Sequence, residues 1–439
     1  MSDTKVIHSS DTSGHIFSLF LKYVSANVLG MIGFSCYILA DTFFIARGIG
    51  SDALAALNLV LPAYSLLNGT GLMIGMGGGS RYSLSSTHPE GETHRTVFTQ
   101  SVLLAVIAAI FFALTGLLGA EPLCLLLGAD SRTLPFAVPY IRILLAFAPL
   151  FLANNLLVCF VRNDGEPALS MAGMIIGSLS NILLDYLFIY PLNLGMVGAA
   201  LATATAPLIS MGILSTHFLR GNSHFRLMKT KPSLSTASSI CSLGVSSLIT
   251  EVSSGIVILV FNFLILDLSG VAAYGVLANI ALVLIAISTG IAQGIQPIVS
   301  SHPGKKGQPV RHQIRCYALL TALLLALLSY AVIFLLADPI ADLFNKDQNT
   351  ALTSIAADGM RIYFTSLFFS GINIVAAVFL SSTDHPKQAF ILSLLRGFLL
   401  IIPAAFLLAH LFGLTGIWMS LPVTEGIVCI FSLLFLKKV

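Results

Sequence analysis

Long apolar runs separated by short polar turns occupy this chain from residue 16 almost to its end. Each run is long enough to span a bilayer, since about 20 helical residues cross a hydrocarbon core of ~30 Å. Twelve segments can be laid out, at approximately 16–46, 53–80, 95–118, 134–160, 167–190, 195–219, 237–266, 271–300, 314–337, 359–382, 388–410 and 413–436. The expected fold is therefore an all-α polytopic membrane protein of twelve transmembrane helices.

The apolar pattern breaks once near the middle, at RGNSHFRLMKTKPSLST, residues 220–236. This polar linker divides the chain into a polar N-terminus (1–15), a first lobe (16–219) and a second lobe (237–439), with six spans in each lobe. A shift of about 219 residues lays Asn154 on Asn373, Phe160 on Phe379, Pro167 on Pro386 and Gly75 on Gly294. One residue of slip then pairs Gly195 with Gly413 and Gly198 with Gly416. An even span count per half makes the repeats parallel, related by an axis along the membrane normal, and the expected lobes are pseudo-symmetric.

Charged residues are 9% of the chain and the mean hydropathy is +0.93, against about 25% charged residues in soluble domains. The opening MSDTKVIHSSDTSGH leads into a run too long for a signal-peptide core, so the first span is expected to stay in the protein. Lys5, Arg81, Arg95, Arg162, Arg220, Arg226, Lys229, Lys231, Lys305, Lys306, Arg311, Arg315, Lys387, Lys437 and Lys438 fall on the side of the termini. Arg47, Arg132, Lys346 and Arg361 fall opposite, which predicts cytoplasmic termini. The basic clusters suit anionic headgroups, and nucleic-acid binding is not expected. The six cysteines lack CxxC spacing and indicate neither a disulfide framework nor a zinc site.

Against this apolar background, polar residues inside spans carry the chemistry. Asn181 and Asp185 stand four apart, one above the other on a helix. Asp185 lies roughly 9 Å below its helix end, Thr203 roughly 12 Å below the Gly195 turn, and Asp41 roughly 9 Å from the same side. Three helices thus offer oxygen ligands at one depth, a set that suits Na⁺ or two carboxylates sharing protons. The repeat places Phe261, Ala404 and Leu421 opposite Asp41, Asp185 and Thr203, so this site belongs to the first half. The second half has Glu251 and Glu425 near the midplane and Arg396 within reach of either, with Arg396–Glu425 favoured as a structural ion pair. Glu251 and Gln293 are candidates to face a cleft and contact a cationic substrate, and Asn154 and Met73 are assigned to the same wall. Spans two and eight are rich in small residues, GTGLMIGMGGGS and STGIAQGIQP, which permit close helix contact.

Several passages resemble the multidrug and toxic compound extrusion (MATE) family. They are DTFFIARGIGSDALAALNLVLP at Asp41–Pro62, RNDGEPALSM, SNILLDYLFI, GMVGAALATATA and GIAQGIQPIVS, in that order across the whole chain. The resemblance implies two six-helix lobes in a V and export of amphipathic organic cations against an inward flow of Na⁺ or H⁺. It implies a first-lobe cation site at Asp41, Asn181, Asp185 and Thr203 with a backbone carbonyl near Ala199, and matches a seventh-span glutamate to Glu251. The tenth-span aspartate of some members has no match in YFTSLFFSGINIVAAVF. A monomer in the plasma membrane (bacterial inner membrane) is expected, with no cofactor beyond the coupling ion and no enzymatic activity. A flippase for lipid-linked saccharides would carry more cleft cations, and a prenyl-handling enzyme would need DDxxD-like motifs that are absent. A passive channel fits carboxylates confined to one lobe less well.

Overall fold

The computed structural model describes residues 13–85, 92–221, 223–265, 268–344 and 350–439. Most of the polar N-terminus, with Lys5, and the turn holding Lys346 lie outside the described residues. The first half consists of α1 (Ser13–Gly48), α2 (Ser51–Leu84), α3 (Glu92–Leu126), α4 (Leu134–Ala146), α5 (Ala148–Asn163), α6 (Pro167–Ile189) and α7 (Gly195–Leu219). The second consists of α8 (Leu234–Leu264), α9 (Leu268–Ser300), α10 (Gln308–Phe344), α11 (Thr350–Tyr363), α12 (Leu367–Ser382), α13 (Pro386–Leu394) and α14 (Ile401–Leu436). The α4–α5 pair forms one span bent by 52°. The α11–α12 pair forms another, and α13 with α14 forms two, divided at Gly413. Twelve spans result.

The helices overrun the ends expected from hydropathy. Ser233 caps α8 by accepting from the Thr236 backbone N–H, so that helix starts inside the polar linker. The third and ninth spans extend beyond breaks at Gly119 and Leu336, each three residues before a proline, Pro122 and Pro339. A proline removes a backbone donor and crowds the preceding turn, so the helix breaks there.

The irregularities repeat as the sequence does. The bend at Phe147 recurs as the 3₁₀ turn Phe364–Ser366. Gly195 and Gly413 have φ of 55° and 60°, and Asp384 adopts φ 64° where its repeat mate Gly165 has 96°. The π turn at Leu395–Leu399, where the Leu400 N–H reaches back to the Leu395 carbonyl at 3.0 Å, has no counterpart in α6.

Each lobe has an apolar core, and the outward faces of α3 and α10 show stripes such as Leu114, Leu117, Leu118 and Leu324, Leu327, Leu328. A stripe facing hydrocarbon needs no water-facing partner, and the helical backbone is satisfied within each span. The lobes meet along α2 against α8 and α1 against α9. Glycine makes that seam possible: a Cβ on Gly77 would overlap the Ile240 carbonyl, and one on Gly244 the Met73 carbonyl. On the other side a Cβ on Gly290 would stand 2.6 Å from the Val28 Cα, and one on Gly294 2.8 Å from the Val24 Cα. The start of α1, with Ile16, Phe20 and Val24, packs into the second lobe's core. These contacts all lie toward the end that carries the linker, called here the basic end.

Candidate functional site

Asp41 on α1, Asn181 and Asp185 on α6, and Thr203 on α7 converge within the first lobe, each at most 6% exposed. With the Asn181 amide oriented to satisfy both its atoms, its Nδ2 donates to Asp185 Oδ2 at 3.1 Å. Its oxygen then accepts from the Thr203 backbone N–H at 3.2 Å. Asp185 lies within reach of the Asp41 charge. Asp41 Oδ1 and Asp185 Oδ1 are buried without a hydrogen-bond partner. Buried carboxylate oxygens are costly when unpaired. Two of them among an amide and a hydroxyl fit a shared proton or a small hard cation. Ala199 is wholly buried on α7, one turn before Thr203.

Tyr140 belongs to this group and was not singled out from the sequence. It lies beside Thr203 and in the field of both aspartates. It stands six residues after the start of α4, roughly 9 Å deep, so the depth argument that gathered the aspartates applies to it equally. Beyond it the Tyr37 and Tyr64 hydroxyls pair at 2.7 Å.

Asn181 and Thr203 open onto a cavity of about 850 Å³ between the lobes. Asn154, Glu251 and Gln293 line the same cavity, as do Phe34, Met31 and Tyr64. Glu251 Oε2 accepts from Asn68 Nδ2 at 3.2 Å, and Asn68 Oδ1 accepts from Asn155 Nδ2 at 3.0 Å, a relay that crosses from one lobe to the other. Asn154 Oδ1 is buried and unpartnered. Met73 is placed otherwise than the sequence suggested: its backbone abuts Gly244 in the seam, and its neighbours Leu72 and Met76 reach cavities instead. The reason is helical phase, since the Gly-rich face of α2 must press on α8 and Met73 shares it.

Arg162, which the sequence assigned to topology, is wholly buried near the end of α5. Its Nη1 donates to Asn27 Oδ1 at 2.6 Å and, across the seam, to Gln293 Oε1 at 3.0 Å. Below it Asn163 and Gln296 exchange two amide hydrogen bonds of 2.9 Å, and Gln296 also donates to Ser80 Oγ at 3.1 Å. These are the side chains that close the basic end. Sequence reasoning missed them because Arg162 and Asn163 adjoin the polar RNDG turn and looked solvated.

In the second lobe Arg396 Nε donates to Glu425 Oε1 at 2.5 Å. Glu425 Oε2 accepts from Asn373 Nδ2 at 2.6 Å, and Asn373 Oδ1 accepts from Ser432 Oγ at 2.7 Å. The π turn carries Arg396.

Two parallel six-helix repeats enclosing a central cavity, with buried carboxylates on its border, define a membrane transporter of the two-lobed kind. Comparison with known proteins agrees. The MatE family model matches residues 27–187 and 243–407. The chain belongs to this family, the MATE transporters that its motifs resemble. It is 25% identical over 438 residues to the multidrug export protein MepA of Staphylococcus saprophyticus, covering 99% of this chain and 96% of that one. It is 26% identical over 440 residues to MepA of Staphylococcus haemolyticus, with the same coverages. Among solved structures, an outward-facing multidrug resistance MATE transporter of the MOP superfamily superposes with a TM-score of 0.87 at 23% identity, over 96% of this chain and 95% of that one.

Proposed function

We propose that the protein is a secondary active multidrug exporter, moving amphipathic organic cations outward by alternating access in exchange for Na⁺ or H⁺. The observation that carries this reading is the first-lobe pair Asp41 and Asp185, each with an orphaned oxygen, joined to the central cavity through Asn181 and Thr203. A cation bound there and a substrate in the cavity share one wall, so each biases how the lobes sit around the other. The staphylococcal relatives named multidrug export protein MepA support outward movement of a range of drugs. Closure of the seam at the basic end supports a state open toward the opposite side. With the Lys and Arg bias, that end is cytoplasmic and the membrane is the bacterial inner membrane.

Asp41, Asn181, Asp185, Thr203 and the Ala199 carbonyl are the coupling-ion ligands in this account, and Glu251, Gln293 and Asn154 recognise substrate. The Arg396–Glu425 pair fixes the eleventh and twelfth spans. The protein works as a monomer with membrane lipid around it. No Lys or Arg is among the described residues lining the cavity, which supports cationic substrates over a pyrophosphate-linked saccharide. Efflux from proteoliposomes under an imposed Na⁺ or pH gradient tests the proposal. Dependence on one gradient supports it, and substrate movement indifferent to both refutes coupling.

A further inference from the structure

The second lobe borders a chamber that corresponds to the first lobe's side of the central cavity, with a guanidinium–carboxylate pair in its wall. Its space, part of it open to the surroundings, is about 1000 Å³, and Ser254, Ser370, Arg396 and Glu425 are among its walls. Under the internal repeat these residues correspond to Phe34, Phe151, Gly177 and Pro207, all of which line the first cavity. The two voids are thus mates under the pseudo-symmetry. Where the first has aromatic rings, the second has serines and is correspondingly open. Where the first has Gly177, the second has a guanidinium.

The chambers are also neighbours. A smaller void of about 570 Å³ shares Glu251 and Gln293 with the first cavity and Thr250 and Arg396 with the second-lobe chamber. Glu251 and Arg396 thus both stand on the wall of the smaller void, one shared with each of its neighbours.

The Arg396–Glu425 pair does not neutralise itself toward the chamber. Glu425 is 1% exposed and both its oxygens are taken, one by Arg396 Nε and one by Asn373 Nδ2. Arg396 retains 16% exposure and, among the described residues, spends only its Nε edge on hydrogen bonding. The remaining Nη fork suits a planar carboxylate in a bidentate contact. The π turn at Leu395–Leu399, absent from the repeat mate, sets this side chain, and such turns recur at functional sites. Tyr274, Tyr363, Val257 and Leu282 supply apolar wall around it. A mostly apolar lining around one ion pair whose guanidinium keeps a free edge has the composition of a small-molecule site.

We propose that the second-lobe chamber is a ligand site in its own right, taking amphipathic molecules that carry a carboxylate, with Arg396 as the recognising group. It goes beyond cation export from the first cavity, and it is tested by equilibrium binding, so its failure leaves that reading untouched.

Pyrenebutyrate and pyrenebutylamine present the same apolar body on opposite charges. Fluorescence polarisation of each against purified protein in nanodiscs is the measurement. Pyrenebutyrate binds saturably, the amine does not displace it, and R396Q/E425Q, which removes both charges together, weakens it about 10- to 100-fold, the loss of charge-assisted hydrogen bonds. R396K retains part of the affinity. S254F, which places the first lobe's residue in the chamber, blocks the carboxylate while keeping the Arg396–Glu425 pair and the wild-type melting temperature. S254F thus decides the matter even where R396Q/E425Q fails to fold. Absence of saturable carboxylate binding overturns the proposal, as does full affinity in S254F or displacement by the amine.

Discussion

Replacing Gln296 with leucine removes the densest polar contact across the seam without touching either cavity. Gln296 is wholly buried and makes three cross-lobe hydrogen bonds, two with Asn163 and one with Ser80. A neutral hydrogen bond contributes a net of about 0.5–1.5 kcal/mol, so three amount to about 1.5–4.5 kcal/mol. Asn163 keeps the Cys159 carbonyl and the Ser83 hydroxyl as partners, and Ser80 loses its amide partner only while the lobes are closed at the basic end; once parted, water serves it. The whole loss therefore falls on the closed state and shifts its equilibrium with the parted state about 10- to 2,000-fold. Spin labels on exposed Arg220 and Lys305, one on each lobe, report the separation by electron–electron double resonance in a background with the native cysteines replaced. Gln296→Leu should show a longer distance at the expense of the short one. An unchanged distribution would refute the assignment of this amide pair as a latch.

Gly244→Val drives a side chain into the Met73 carbonyl, so the same labels should read parted lobes; a wild-type distribution there would mean the seam yields easily. Glu425→Gln leaves Arg396 uncompensated and should cost about 3–5 kcal/mol, while Arg396→Leu with Glu425→Leu recovers much of it. Additive losses in melting temperature would rule out the pairing. Asp130, in the turn between α3 and α4, accepts from the Thr133 backbone N–H, which holds its carboxyl down at about 2. A depressed value stabilises the turn above the unfolded value of ~4 and ceases to do so as pH falls through about 2. Amide chemical shifts of Thr133 and Leu134 should hold from pH 7 to pH 4 and move only below that. Movement at pH 5 would contradict it.

Much of this architecture was legible in the chain because lipid imposes a simple rule. A span must be apolar for about 20 residues, so twelve spans and a central linker stood out. The repeat was legible through glycines and prolines, which the structure explains as backbone necessities: Gly195 and Gly413 share a left-handed conformation. Depth counting brought Asp41, Asn181, Asp185 and Thr203 together before any coordinates did. It would have added Tyr140 had aromatic hydroxyls been counted with the polar groups. What stayed hidden depends on which way a helix faces. Arg162 sits beside a polar turn and looks solvated, yet α5 turns it inward beneath the cavity. The π turn around Arg396 has no sequence signature, since one extra residue per turn leaves composition untouched. Met73 fell on the seam because the glycines beside it dictate the contact face.

The central claim is that Asp41, Asn181, Asp185 and Thr203 act as one cation site that drives export. Gradient-driven efflux from proteoliposomes, measured for Asp41→Asn, Asp185→Asn, Asp41→Ala with Asp185→Ala, and Glu251→Gln, tests it directly. Each aspartate substitution should abolish efflux while leaving substrate binding measurable. The double alanine variant should be scarcely worse than either single change, because one broken site cannot break twice. Glu251→Gln should alter substrate preference or affinity and keep some coupling. Normal export by both aspartate variants, with Glu251→Gln alone inactive, would place coupling outside the first-lobe site and contradict the account.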